Sequence, residues 1–298
     1  HVEDADKAAA TAAGQIAELC GYLPLYLMIC GGVILSYEGD PEWQAELVEM
    51  LQFDRVGLID DASGDDTVAR LVDNSLTMLK DQATVAIFKA LAVCPEDVLV
   101  QLPVAQLICG CDTDVLGEGK VTAVSLRRSF KLLLDRNLLQ GSIKHGVQMH
   151  DIVRDLMRSR IGDEDALRLK QRAVVQAFAD ECQTEGWDGA GVTGQYAKQA
   201  LPIHVAEAVL PDVLDDTEAQ AWLDASDDVL NDPVVCAVAS AFGATKLIAL
   251  ADRAEAAGQL WQAAKRLASV YAAMWAGNLT ADNEMVPSMT RACELLKI

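Results

Sequence analysis

The chain is short of aromatic residues, short of positive charge and free of long unbroken apolar runs, and each shortage removes a class of protein. Phe, Trp and Tyr make up only 5% of its 298 residues, while alanine and leucine abound. That balance disfavours stacked β-sheets, whose faces want aromatic and β-branched side chains, and favours packed helices. Twenty-four Lys and Arg stand against 45 Asp and Glu, a formal net charge of −21. The long-range field therefore repels phosphate backbones and anionic lipid surfaces, and nucleic acid is by that measure an unlikely partner. The most apolar run, Leu23 to Leu35, spans 13 residues and is broken by Pro24 and two glycines. A spanning helix needs about 20, so no membrane segment is expected.

Catalytic groups are scarce as well. There are four histidines, at 1, 145, 150 and 204, and no Gly-x-Ser-x-Gly elbow, which leaves little from which to build a nucleophile and its base. The chain is not expected to be an enzyme by itself. Eight cysteines, at 20, 30, 94, 109, 111, 182, 236 and 293, show no paired Cys-x-x-Cys spacing. They read as reduced core thiols of a cytoplasmic protein, and Cys109-Gly110-Cys111 lacks the second pair a zinc site needs. A phosphate-binding loop is missing too. Gly117-Glu118-Gly119-Lys120-Val121 imitates one, but Asp114 stands where glycine is required and Val121 where a magnesium-binding hydroxyl is required. Val56 to Asp61 imitates an apolar strand with paired acids, without the order such ATPases use.

What is present is 51% hydrophobic residues, enough for real cores and for two or three units. Apolar spacing predicts a mainly α fold. In residues 1–80 a helix over 3–20 ends at Gly21, Pro24 opens a second to about Leu35, and a third runs from about Glu42 to Gln52. After an acidic loop over 54–66, a helix from Thr67 to Leu79 carries Val68, Leu71, Val72, Leu76 and Leu79 on one face. Residues 81–162 change character: helices over Ala83 to Val93, Gln101 to Cys109 and Val121 to Asp135, then short segments Leu138 to Ser142 and Gly146 to Met149 flanking the polar Lys144-His145 turn. Three helices and a hairpin are winged-helix order. A helix from Asp151 to about Arg160 follows. Residues 163–298 show only helical signals, over 166–182, 192–210, 217–230, 244–257, 260–277 and 284–298, consistent with a solenoid-like array. Acidic charge clusters in two stretches: residues 34–66 hold ten Asp and Glu against Arg55 alone, and residues 199–245 hold nine against none. Both suit solvated faces.

Two short runs carry more than this. Val147-Gln148-Met149-His150-Asp151-Ile152-Val153-Arg154 resembles the Met-His-Asp signature of the STAND (NB-ARC-type) nucleotide switches, and Cys20-Gly21-Tyr22-Leu23-Pro24-Leu25-Tyr26-Leu27 resembles their Gly-Leu-Pro-Leu run. They stand in the family's order. Leu133 to Leu139 and Ala90 to Val98 add to the likeness. The resemblance covers about residues 14–160 and implies the back half of a switch, following a nucleotide-binding domain that this sequence does not contain. It implies that Leu23, Pro24 and Leu25 pack against the adenine of bound ADP or ATP and that His150 donates to the β-phosphate. It further implies that ADP holds the closed form and that exchange for ATP leads to homo-oligomers, with a protein partner engaged through the C-terminal helices. Tyr22 departs from the family's glycine and Tyr26 from its alanine. Asp151 is expected to cap its own helix or hold the turn after His150.

Two alternatives come from other classes. One is a helical scaffold whose array binds a protein partner without nucleotide. The other is a winged-helix transcription regulator, suggested by Arg127, Arg128, Lys131 and Arg136 on the third winged-helix segment.

Overall fold

Runs of strong helix formers punctuated by Asp, Pro and Gly favour a chain of short helices. The computed structural model contains them, and it describes residues 12–36, 43–56, 65–185, 191–208, 217–224, 232–275 and 285–296. Among these the chain is mainly α-helical with one small antiparallel hairpin.

The first group is α1 (12–19), α2 (Pro24–Ser36), α3 (Trp43–Val56) and α4 (Asp65–Leu79). All five residues of the expected α4 face are buried, and α4 packs on α2. The start of the predicted first helix and most of the predicted acidic loop lie outside the described residues.

The second group is α5 (Gln82–Leu91), α6 (Leu102–Gly110), the short α7 (Thr113–Gly117), α8 (Ala123–Asp135), β1 (Gln140–Ser142), β2 (Gly146–Gln148) and α9 (Asp151–Ser159). The caps follow from the side chains present. Asp81 accepts from the Thr84 amide, Asp112 from the Asp114 and Val115 amides, and Thr122 with Ser125 closes a reciprocal capping box on α8. The hairpin pairs Gln140 with Gln148 and Ser142 with Gly146. Val100, between α5 and α6, bridges to Val147 by two backbone bonds of 2.8 and 3.0 Å. A helix, an extended residue, further helices and a hairpin bonded back to that residue complete winged-helix order. Phe88, Ile108, Leu126, Phe130, Leu133 and Met157 fill its interior, each contributing about 1.5 to 3 kcal/mol by burial.

The third group is α10 (Glu164–Glu185), α11 (Gly191–Ala208), α12 (Thr217–Asp224), α13 (Pro233–Ala256), α14 (Leu260–Trp275) and α15 (Met285–Leu296). Contacts run mainly between near neighbours, α10 on α11, α11 on α13, α13 on α14 and α14 on α15, the stacking habit of a helical array. α13 begins eleven residues before the expected 244, because Pro233 at its first turn and the Asp232 cap open a helix where Asp-Pro reads as a loop. Gly243 (φ 73°, ψ 164°) interrupts it. Within α13, Val234–Ala256 has the length and composition of a membrane span, but half of its apolar window is buried against the rest of the chain.

The three groups share one core. A continuous buried cluster runs from Ile16 to Val270, and α10 and α11 both pack on α6. A second, alanine-rich cluster joins α13, α14 and α15.

Candidate functional site

The proline corner is built by the way α1 ends. Gly21 has φ 61°, its amide bonds the Glu18 carbonyl, and the Tyr22 amide reaches the Ala17 carbonyl, which is a Schellman closure. Tyr22 is also left-handed, at φ 58°. A tyrosine pays for this conformation where a glycine would not, and this is the position at which the chain departs from the Gly-Leu-Pro-Leu pattern. Tyr22→Gly is therefore expected to stabilise the protein by about 0.5 to 1 kcal/mol, the relief of left-handed strain exceeding the added freedom of the unfolded chain. Urea unfolding checks it, and a lower midpoint would contradict the strain argument.

Beyond the corner, Leu23 accepts the first bond of α2 from the Leu27 amide and Pro24 occupies the first helical position, where its missing amide leaves nothing unpaired. Leu23 and Pro24 are exposed and offer an apolar face to solvent; Leu25 and Tyr26 turn inward and are buried. Of the three sequence candidates here, two are free to touch a ligand and Leu25 supports them from the core.

His150 is the N-cap residue of α9, directly after β2, with an extended backbone and no side-chain cap bond. Its Nδ1 lies against the Asp151 carboxylate in a close charge contact without hydrogen-bond alignment, and its side chain is 34% exposed. Asp151 occupies the first helical position, where its Oδ1 accepts from the Ile152 amide at 2.7 Å. Asp151 thus satisfies a first-turn amide of α9, while the N-cap position itself belongs to His150. With Nδ1 turned to the carboxylate, Nε2 is the ring nitrogen left for a ligand.

No bond between His150 and the proline corner occurs among the described residues; the two are joined through the framework. Asn137, left-handed at φ 54° after α8, donates its amide to the Met28 carbonyl in α2 at 2.7 Å. Arg136 donates to the Ser75 carbonyl in α4 at 3.3 Å. Gly32 of α2 lies so close to this corner that an added Cβ would sit 2.5 Å from Arg136 backbone atoms. At the far end of α9, Arg160 forks onto Asp73 of α4. Between α4 and α9, one turn beyond His150, lies a cleft of about 360 Å³ lined by Val68, Ile152, Asp155, Leu156 and Ser159.

A second junction, which sequence reasoning missed, ties the winged-helix group to the array. Arg158 donates to the Ala92 and Val93 carbonyls, at 2.8 and 3.2 Å, and pairs with Glu207 at 3.0 Å. Gln171 donates to the Val93 carbonyl at 3.0 Å and to Glu207, while its carbonyl oxygen meets His204 Nδ1 at 2.6 Å. His204 Nε2 meets the Tyr196 hydroxyl at 3.0 Å. His204 is fully buried, and burial first, then the nearby Arg158 cation, lowers its pKa to about 3. It stays neutral in the folded protein and takes a proton on unfolding below its ordinary 6.5. Its contribution is intact above pH 6.5 and is lost as pH falls towards the folded value. About 2 kcal/mol should disappear between pH 6.5 and 5, at roughly 1.4 kcal/mol per unit. Denaturant unfolding at both pH values checks this, with His204→Gln expected to flatten the difference; a wild-type stability indifferent to pH in that window would contradict it.

Asp114, in the false phosphate loop, lies in α7 and pairs with Lys170 at 2.9 Å. Residues 57–64, which hold most of the other imitation, fall outside the described residues. Among the described residues no cluster of three or more His, Cys, Asp or Glu is arranged to hold a metal. No protein-family model and no curated protein matches the chain.

Proposed function

We propose that this chain is the clamp portion of an adenine-nucleotide switch of the STAND type, acting with a P-loop domain that supplies the phosphate cradle. The observation that carries the reading is His150 at the junction of hairpin and helix, its ring against the Asp151 carboxylate, in a winged-helix group fastened to the helix that Pro24 opens. Leu23 and Pro24 provide an apolar surface for a purine, and His150 Nε2 provides one polar contact for a diphosphate. When bound, ADP supplies negative charge that ties the winged-helix group to the nucleotide domain. The residues of this chain do the rest: Asp151 orients the imidazole, Asn137 and Arg160 hold the two subdomains in register, and Arg158 with Gln171 passes that register to the array.

The chain does no bond-breaking chemistry in this scheme. Its contribution is differential affinity, since a ligand shifts a two-state balance only by what it gains in one state over the other. Release of ADP frees α9, and the opened protein assembles with further copies while the array, α10 to α15, takes a protein partner. A cytoplasmic setting fits the free core thiols, including Cys20 and Cys30, which share a hydrogen bond at 3.4 Å and no disulfide.

Light scattering of the P-loop-containing protein tests the scheme. With ATP added, His150→Ala is expected to raise the oligomeric fraction several-fold over wild type. Identical mass distributions for the two would argue for a plain helical scaffold instead.

A further inference from the structure

The protein neutralises its own cations almost everywhere except in the winged-helix group. Among the described basic side chains, those before residue 80 and after residue 144 have partners. Lys80, Lys89, Lys120, Arg127, Arg128, Lys131 and Lys144 are exposed and have none. Between residues 80 and 150 eight Lys and Arg face seven Asp and Glu, in a chain whose total is −21. Several of those seven acids are engaged: Asp112 and Asp114 by Lys170, Glu96 by Arg154 and Asp81 by the α5 cap.

Three of these seven cations line up on one helix. Val124, Arg127, Arg128 and Lys131 fall on one exposed stripe of α8, at helical spacing i, i+3, i+4 and i+7, about 10 Å long. Lys144 sits at the tip of the hairpin, beside His145. α8, the last helix before the hairpin, and the hairpin tip are the two elements that a winged helix can lay against a duplex. We infer that this face binds the phosphate backbone of double-stranded nucleic acid, independently of the nucleotide switch. Arg127, Arg128 and Lys131 suit phosphate oxygens, which every sequence presents, and the exposed Asp135 one turn beyond Lys131 bounds the stripe. The acidic surplus elsewhere opposes this only weakly at close range, because salt screens charges beyond about 8 Å.

Fluorescence anisotropy of a labelled 30-base-pair mixed-sequence duplex, titrated with the 298-residue chain, tests it. Saturable binding is expected at 50 mM salt, with affinity falling roughly 40-fold by 200 mM if three phosphates are neutralised. Replacing Arg127, Arg128 and Lys131 together by alanine should weaken binding at least tenfold, while Arg127→Lys with Arg128→Lys should retain it. These side chains are exposed, and an unchanged thermal melt confirms that the variants fold. No binding by wild type, or equal binding by the alanine variant, overturns the inference. So does competition by polyglutamate at the same charge concentration with no preference for duplex, which would assign the face to an acidic polypeptide.

Discussion

Replacing Gly32 by alanine is expected to lower stability by about 3 kcal/mol, a melting-temperature drop on the order of 6 to 10 °C, although alanine is the better helix former. The reason is local. The added methyl would lie 2.5 Å from the Arg136 carbonyl carbon and oxygen and 2.6 Å from its Cα, and backbone cannot rotate away as a side-chain end can. α2 would have to lift from the corner after α8, stretching the Asn137 bond to the Met28 carbonyl and the Arg136 bond to Ser75. Gly31, its neighbour in the same helix, has nothing within 4 Å of the equivalent position. Gly31→Ala is accordingly expected to be neutral or to stabilise by up to about 1 kcal/mol. Scanning calorimetry of the pair separates helix propensity from close approach. If both variants melt together, the helical subdomain and the winged-helix group do not meet as described.

The same corner shows what sequence can and cannot deliver. Elements longer than two turns were legible because burial imposes a period: the α4 face came out residue for residue, and α8 was displaced only at its start, where Thr122 and Ser125 close a capping box. The hairpin was legible from its polar turn. α7 was not, since five residues held by the Asp112 side chain are too few to show a period. Neither was the Val100 bridge, a single residue whose partner lies 47 positions on. The first half of α13 was lost to the Asp-Pro pair that in fact begins it.

Within the candidate site, Pro24 and His150 could be picked out because each sits at a helix start with a distinctive flank. The framework joining them could not. Asn137 and Met28 are 109 residues apart, and Gln171 and Val93 are 78. Their bonds depend on tertiary packing, which leaves no local pattern. His204 drew notice only as one of four histidines; its role as a buried neutral link follows from partners on α9, α10 and α11. Tyr22 is the instructive exception. The resemblance alone marks it as standing where a glycine is expected, and its positive φ is a conformation that glycine adopts without strain.

The clamp account stands or falls on the imidazole of His150. In that account a hydrogen bond from it to a phosphate is charge-assisted and worth about 1.5 to 3 kcal/mol, which corresponds to roughly a 10- to 150-fold change in nucleotide retention. His150→Ala should leave the fold intact, because the ring makes no cap bond and Asp151 keeps its contact with the Ile152 amide. The direct measurement is the dissociation rate of a fluorescent ADP from the P-loop-containing protein, followed by displacement with excess unlabelled ADP. Release at least tenfold faster in His150→Ala than in wild type is the predicted result, and an unchanged rate would contradict the account.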